Sequence, residues 1–99
     1  MNVTENELKE FENKLGGRII YSTLFRDCNT LKKDFIIYSI MNKYRARGID
    51  NQFCAEFTKE TLNESGVVLR FTPYYNTIMS RFYKIRKAIR DTKNEIKIN

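Results

Sequence analysis

Over the last third of the chain, apolar residues recur at alternating spacings of three and four. Tyr75, Ile78, Phe82, Ile85, Ile89 and Ile96 form the series, and Thr92 fills its one gap. Such spacing gathers them into a single stripe along one side of an α-helix. Arg81, Lys84, Arg86, Lys87, Arg90, Lys93 and Lys97 cover the remaining surface. One helix is therefore expected to do two jobs, docking on a core and presenting a cationic face.

The charge is concentrated there. Residues 70–99 hold eight Lys/Arg against Asp91 and Glu95, a net of +6, equal to the formal charge of the whole chain. A concentrated cationic face suits a polyanion, most simply nucleic acid. The segment before it has the opposite bias. Glu5, Glu7, Glu10 and Glu12 outweigh Lys9 and Lys14 near the start of the chain.

A sequence of 99 residues, 41% hydrophobic and 13% aromatic with little Gly or Pro, is expected to form one globular domain, residues 1–99. No apolar run approaches the ~20 residues needed to span a bilayer. Met1 to Glu12 is acidic and polar, unlike a secretory leader, so a cytoplasmic location is expected. Cys28 and Cys54 lie in apolar-periodic segments and read as buried free thiols. There is no CxxC pair and no histidine. The usual zinc patterns and every Ser-His or Cys-His nucleophile are thereby excluded. No cofactor or metal is implied, and the expectation is a protein without enzymatic activity. Glu56, Glu60 and Glu64 recur every fourth residue, but as a solvated face that includes Lys59.

Four helices are predicted around one core. Thr4 and Glu7 form a Thr-x-x-Glu capping box, flanked by Val3 and Leu8 at the staple positions. Leu8, Phe11 and Leu15 face inward, and Gly16-Gly17 ends this helix. A second helix covers at least Thr30 to Ala46, beginning either near Ser22 or near Asn29. Phe35 to Met41 is apolar on nearly every side, which marks it as the central element. Its end is signalled by basic residues and then Gly48. Asp50 caps a third helix, Asn51 to about Asn63, with Phe53, Cys54, Phe57 and Leu62 inward. Val67 to Phe71 reads as a short strand, paired with Ile19 to Tyr21 in a minor two-stranded element. Thr72 caps the fourth helix with Pro73 at its first position. That helix runs to about Thr92, after which the tail frays.

The fourth helix also has an order along its length. Small polar residues, Asn76, Thr77 and Ser80, come first, and long cations, Arg81, Lys84, Lys87 and Arg90, follow. A recognition helix in a DNA major groove wants that order: early turns reach base edges and later cations hold phosphates. Asn76 would then read adenine and Arg81 guanine. Arg45 and Arg47, at the end of the second helix, extend the cationic surface if that end lies near the fourth helix. A helix-turn-helix variant is one way to arrange these parts. Its connection, Glu64 to Thr72, is longer than the compact motif allows.

The leading expectation is thus a small DNA-binding regulator of the kind carried by phages, plasmids and other mobile elements, with duplex DNA as partner. The alternative is a small inhibitor or adaptor that docks the same basic face on a host nucleic-acid-processing protein. A symmetric dimer would suit a palindromic site, although no residue pattern specifies one. A membrane partner is not expected, because the apolar stripe of the fourth helix is needed for the core.

Overall fold

A computed structural model describes residues 2–17, 30–67 and 75–98. Among them the chain forms four helices: α1 Glu5–Leu15, α2 Thr30–Arg45, α3 Asn51–Glu64 and α4 Tyr75–Ile98. There is no strand among the described residues, and Val67, the one described residue of the two expected strands, is not in one. The rest of that β element, Cys28, the region upstream of Thr30, and the Thr72–Pro73 cap lie outside the described residues.

Helix boundaries follow the side-chain and glycine signals. Thr4 accepts from the Glu7 backbone N–H at 3.2 Å, and the Glu7 carboxylate accepts from the Thr4 N–H at 3.2 Å. Both halves of the capping box are therefore made. Asp50 accepts from the Gln52 N–H at the start of α3. At the end of α2, the Gly48 N–H donates to the Arg45 carbonyl and the Ile49 N–H to the Tyr44 carbonyl. Gly66 and Val67 repeat this pattern on Asn63 and Leu62 at the end of α3. These paired bonds satisfy orphan carbonyls only when the glycine turns left-handed, and Gly48 and Gly66 have φ of 78° and 72°.

α2 packs against each of the other three helices, and α4 does likewise, whereas α1 and α3 do not meet. The molecule is therefore a central α2–α4 pair with α1 on one flank and α3 on the other. An aromatic row ties three of the helices together. Phe35 meets Phe11 edge-on at 5.6 Å, Phe11 meets Tyr38 at 5.7 Å, and Tyr38 meets Phe82 at 6.4 Å. On the other flank Tyr44 of α2 packs on Phe57 of α3 at 4.7 Å. Ile36, Ile37, Met41, Cys54, Leu62, Ile78, Phe82 and Ile85 are fully buried between these contacts. Two buried threonine hydroxyls close on their own helices, Thr58 onto the Cys54 carbonyl and Thr92 onto that of Ala88.

Three expectations are corrected. Phe53 is exposed, because the inward phase of α3 runs through Cys54, Ala55, Thr58 and Leu62 and leaves Phe53 beside it. Tyr75 is exposed as well, standing in the first turn of α4 ahead of the buried series. α4 continues through Ile98 where a frayed tail is expected after Thr92. No Gly or Pro interrupts that segment to stop it.

A buried ion pair joins α2 to α4. Arg81 of α4 donates through Nε to Oδ1 of Asp34 and through Nη2 to Oδ2, both at 2.7 Å, forming a two-pronged ion pair to α2. Both side chains are almost fully buried, and Lys33 beside them is buried too. Burial pushes the Asp34 carboxyl up from its ordinary range, against the pull of Arg81 and then of Lys33. The geometry is good but desolvation is the larger influence, so the pair contributes positioning more than net stability. Replacing Arg81 alone with Met should cost about 3–5 kcal/mol, since it strands a buried carboxylate. Arg81→Met with Asp34→Leu should recover most of that loss. Urea unfolding of the two single variants and the double variant measures this. Single-variant losses below about 1 kcal/mol would mean that the pair is not held in a dry interior.

Candidate nucleic-acid interface

The burial pattern of α4 sorts its residues into two faces. Ile78, Arg81, Ile85, Ala88 and Thr92 are buried at alternating spacings of three and four, with Phe82 and Ile89 beside them. Asn76, Ser80, Lys84, Arg86, Lys87, Arg90, Lys93 and Asn94 are exposed, and Thr77 is half-buried. The face carrying Asn76, Ser80, Lys84, Lys87 and Arg90 is thus brought together on the solvent side as expected. Neither ion pair seen among the described residues, Arg81–Asp34 and Lys59–Glu56, involves any of these cations.

Arg81 is the exception and corrects the expectation. It is 5% exposed and both prongs of its guanidinium are committed to Asp34. A side chain so held cannot swing out to a guanine edge without stranding the carboxylate.

The end of α2 contributes unequally. The Arg45 guanidinium lies over the Phe82 ring at 5.1 Å, and that of Arg86 lies over the same ring at 5.6 Å. Phe82 thereby joins a cation of α2 to the cationic side of α4. Each contact is of the cation–π kind, in which the negative ring face offsets the charge. Arg47 sits over Tyr44 at 5.7 Å, and Tyr44 packs on Phe57. Arg47 is therefore tied to the α2–α3 corner.

One recess is not legible in the sequence. Arg86, Arg90, Lys93 and Asn94 line an open cleft of about 380 Å³ with Tyr38 of α2 and Ile89. Three of these residues are cations at steps of four and three along one helix. That spacing was the signal available, but the partner wall from Tyr38 comes only with the tertiary fold. On the far side of Tyr38, a smaller cleft of about 170 Å³ is lined by Glu7, Glu10 and Lys14 with Phe11, Phe35 and Ser39. Tyr38 thus separates a basic recess from a mainly acidic one.

Among the described residues the one cysteine, Cys54, is quiet. Cys54 is fully buried and its thiol lies 3.4 Å from the Ile49 carbonyl. Burial pushes this thiol up, against the nearby Arg45, so it stays protonated at neutral pH. No helix among the described residues is long and apolar enough to cross a membrane. Comparison of the chain with protein families, with curated proteins and with solved structures finds no match.

Arg45 offers a direct check of how the cationic side is assembled. Arg45→Gln should lower stability by about 1 kcal/mol, through loss of the ring contact and of a cation at the end of α2. Chemical denaturation measures it. A change within about 0.2 kcal/mol would show that the guanidinium is not held on Phe82 in solution.

Proposed function

We propose that this protein binds nucleic acid, duplex DNA in the first instance, through the exposed face of α4. One observation carries the reading: Lys84, Arg86, Lys87, Arg90 and Lys93 are all exposed on a helix whose other face is anchored in the core. A rigid, two-turn-or-longer array of cations can follow a row of phosphates and release condensed counterions. Asn76 and Ser80 lie on the early turns of the same exposed face, where a groove-bound helix meets base edges. Arg45 adds charge from α2 beside Phe82. In this reading the protein works by occupying DNA, as a regulator does.

The test is fluorescence anisotropy of a labelled random-sequence duplex of about 30 base pairs, titrated between 50 and 200 mM salt. Affinity should fall log-linearly with salt, with a slope corresponding to roughly four to six phosphates. Replacing Lys84 and Lys87 together with Ala should weaken binding to all sequences about equally and reduce the slope by about two. Asn76→Ala should instead change the preference among sequences in a selected pool. Absence of binding at 50 mM salt would overturn the reading and turn attention to the same face as a dock for an acidic protein.

A further inference from the structure

The cleft between α2 and α4 has a composition that the open face of α4 lacks. Its lining combines three cations, one amide and a floor that is partly aromatic and partly aliphatic. Among the described residues no carboxylate lines it, although Asp91 and Glu95 lie on the same helix. The other recess that shares Tyr38 is lined by Glu7 and Glu10 against the single cation Lys14, so it is the less favourable of the two for an anion.

We infer that this cleft is a nucleotide-binding site, in which Arg86, Arg90 and Lys93 hold a phosphate group and the Tyr38–Ile89 floor carries the sugar or base attached to it. The inference rests on the polyanion reading of α4 and narrows it to one part of that helix. Guanidinium groups match phosphate oxygens in a two-pronged geometry, and a lysine adds a mobile point charge. A recess with apolar walls focuses the field of its cations more than an open helix face does. At about 380 Å³ the cleft falls in the lower part of the range for small-ligand sites, enough for one nucleotide and too little for a base pair.

The site is also largely preformed. The Tyr38 ring is wedged between Phe11 and Phe82, at 5.7 and 6.4 Å, so the floor keeps its shape when empty. Arg86 is already held against Phe82 at 5.6 Å, which reduces the ordering cost of binding. Asn94 supplies an amide able both to donate and to accept, suited to a sugar hydroxyl or a base edge.

A free nucleotide and an unpaired nucleotide within a strand present the same chemistry. Two-dimensional ¹H–¹⁵N NMR of the full chain separates them. The probes are deoxyadenosine 5′-monophosphate, deoxyadenosine, inorganic phosphate and a 5′-phosphorylated hexathymidylate. The monophosphate should shift the amides of Tyr38, Ile89, Arg90 and Asn94 more strongly than deoxyadenosine or phosphate alone. Arg90→Ala with Lys93→Ala should weaken this binding at least about tenfold, whereas Lys84→Ala with Lys87→Ala should leave it within about twofold. These substitutions are at exposed positions, so folding is preserved. If the hexathymidylate shifts the same amides, the cleft takes a nucleotide from a strand. If only the monophosphate does, the site holds free nucleotide and takes no part in strand binding, while the duplex reading stands or falls separately on the anisotropy titration. Absence of cleft shifts with both probes at millimolar concentration would overturn the inference. So would equal weakening by the two double variants, since that would make the attraction a diffuse property of the helix.

Discussion

The two-pronged Arg81–Asp34 bond decides how α4 sits on α2. An amphipathic helix can rotate by a fraction of a turn on an apolar neighbour at little cost, because hydrophobic contact is non-directional. A buried guanidinium joined to a carboxylate at two points, both 2.7 Å, does not tolerate that rotation. With α4 fixed about its axis, Lys84, Lys87 and Arg90 are committed to solvent, and Ile78, Ile85 and Thr92 to the core. The presentation of the cationic face is therefore a consequence of one polar contact that never reaches the surface. Its cost is the desolvation that pushes Asp34 upward, and the apolar residues around it offset that cost.

That contact also explains what could and could not be read beforehand. The start of α1, both ends of α3 and the end of α2 were legible, because caps and glycine turns are local. Thr4, Asp50, Gly48 and Gly66 do in the structure what their neighbours in sequence imply. The far end of α4 was harder, since only the absence of a stop signal marks it.

The candidate site was legible as a charge distribution and illegible in its detail. Arg81 falls in phase with Ile78, Ile85, Ala88 and Thr92, three residues after one and four before the next. Reading the stripe through Phe82 instead put Arg81 on the wrong face. The corrective signal was on another helix: Asp34 is the single acid in the stretch from Leu31 to Met41. A lone acid in a core helix needs a buried cation, and Arg81 is in phase to supply it. Phe53 and Tyr75 failed for a related reason. Hydrophobicity gave their type, but the inward phase of a helix is set by its neighbours, and both residues stand in the first turn of their helices.

Tyr38 links the fold to the proposed chemistry more closely than any cation does. Its ring belongs to the aromatic row that fastens α1 and α4 to α2, and its exposed part walls both recesses. The acids of α1 are therefore kept on one side of it and the cations of α4 on the other. Were α1 absent or displaced, Phe11 would no longer hold the ring, and Glu7 and Glu10 would no longer be fixed away from Arg86 and Arg90. The acidic first helix thus has a reason to be part of a basic protein: it supports the floor of the basic cleft while keeping its own carboxylates out of it. Charge segregation of this kind needs a rigid divider. In this fold the divider is an aromatic side chain whose position is set by packing on both neighbours, so the electrostatics of the surface and the packing of the core are a single design constraint.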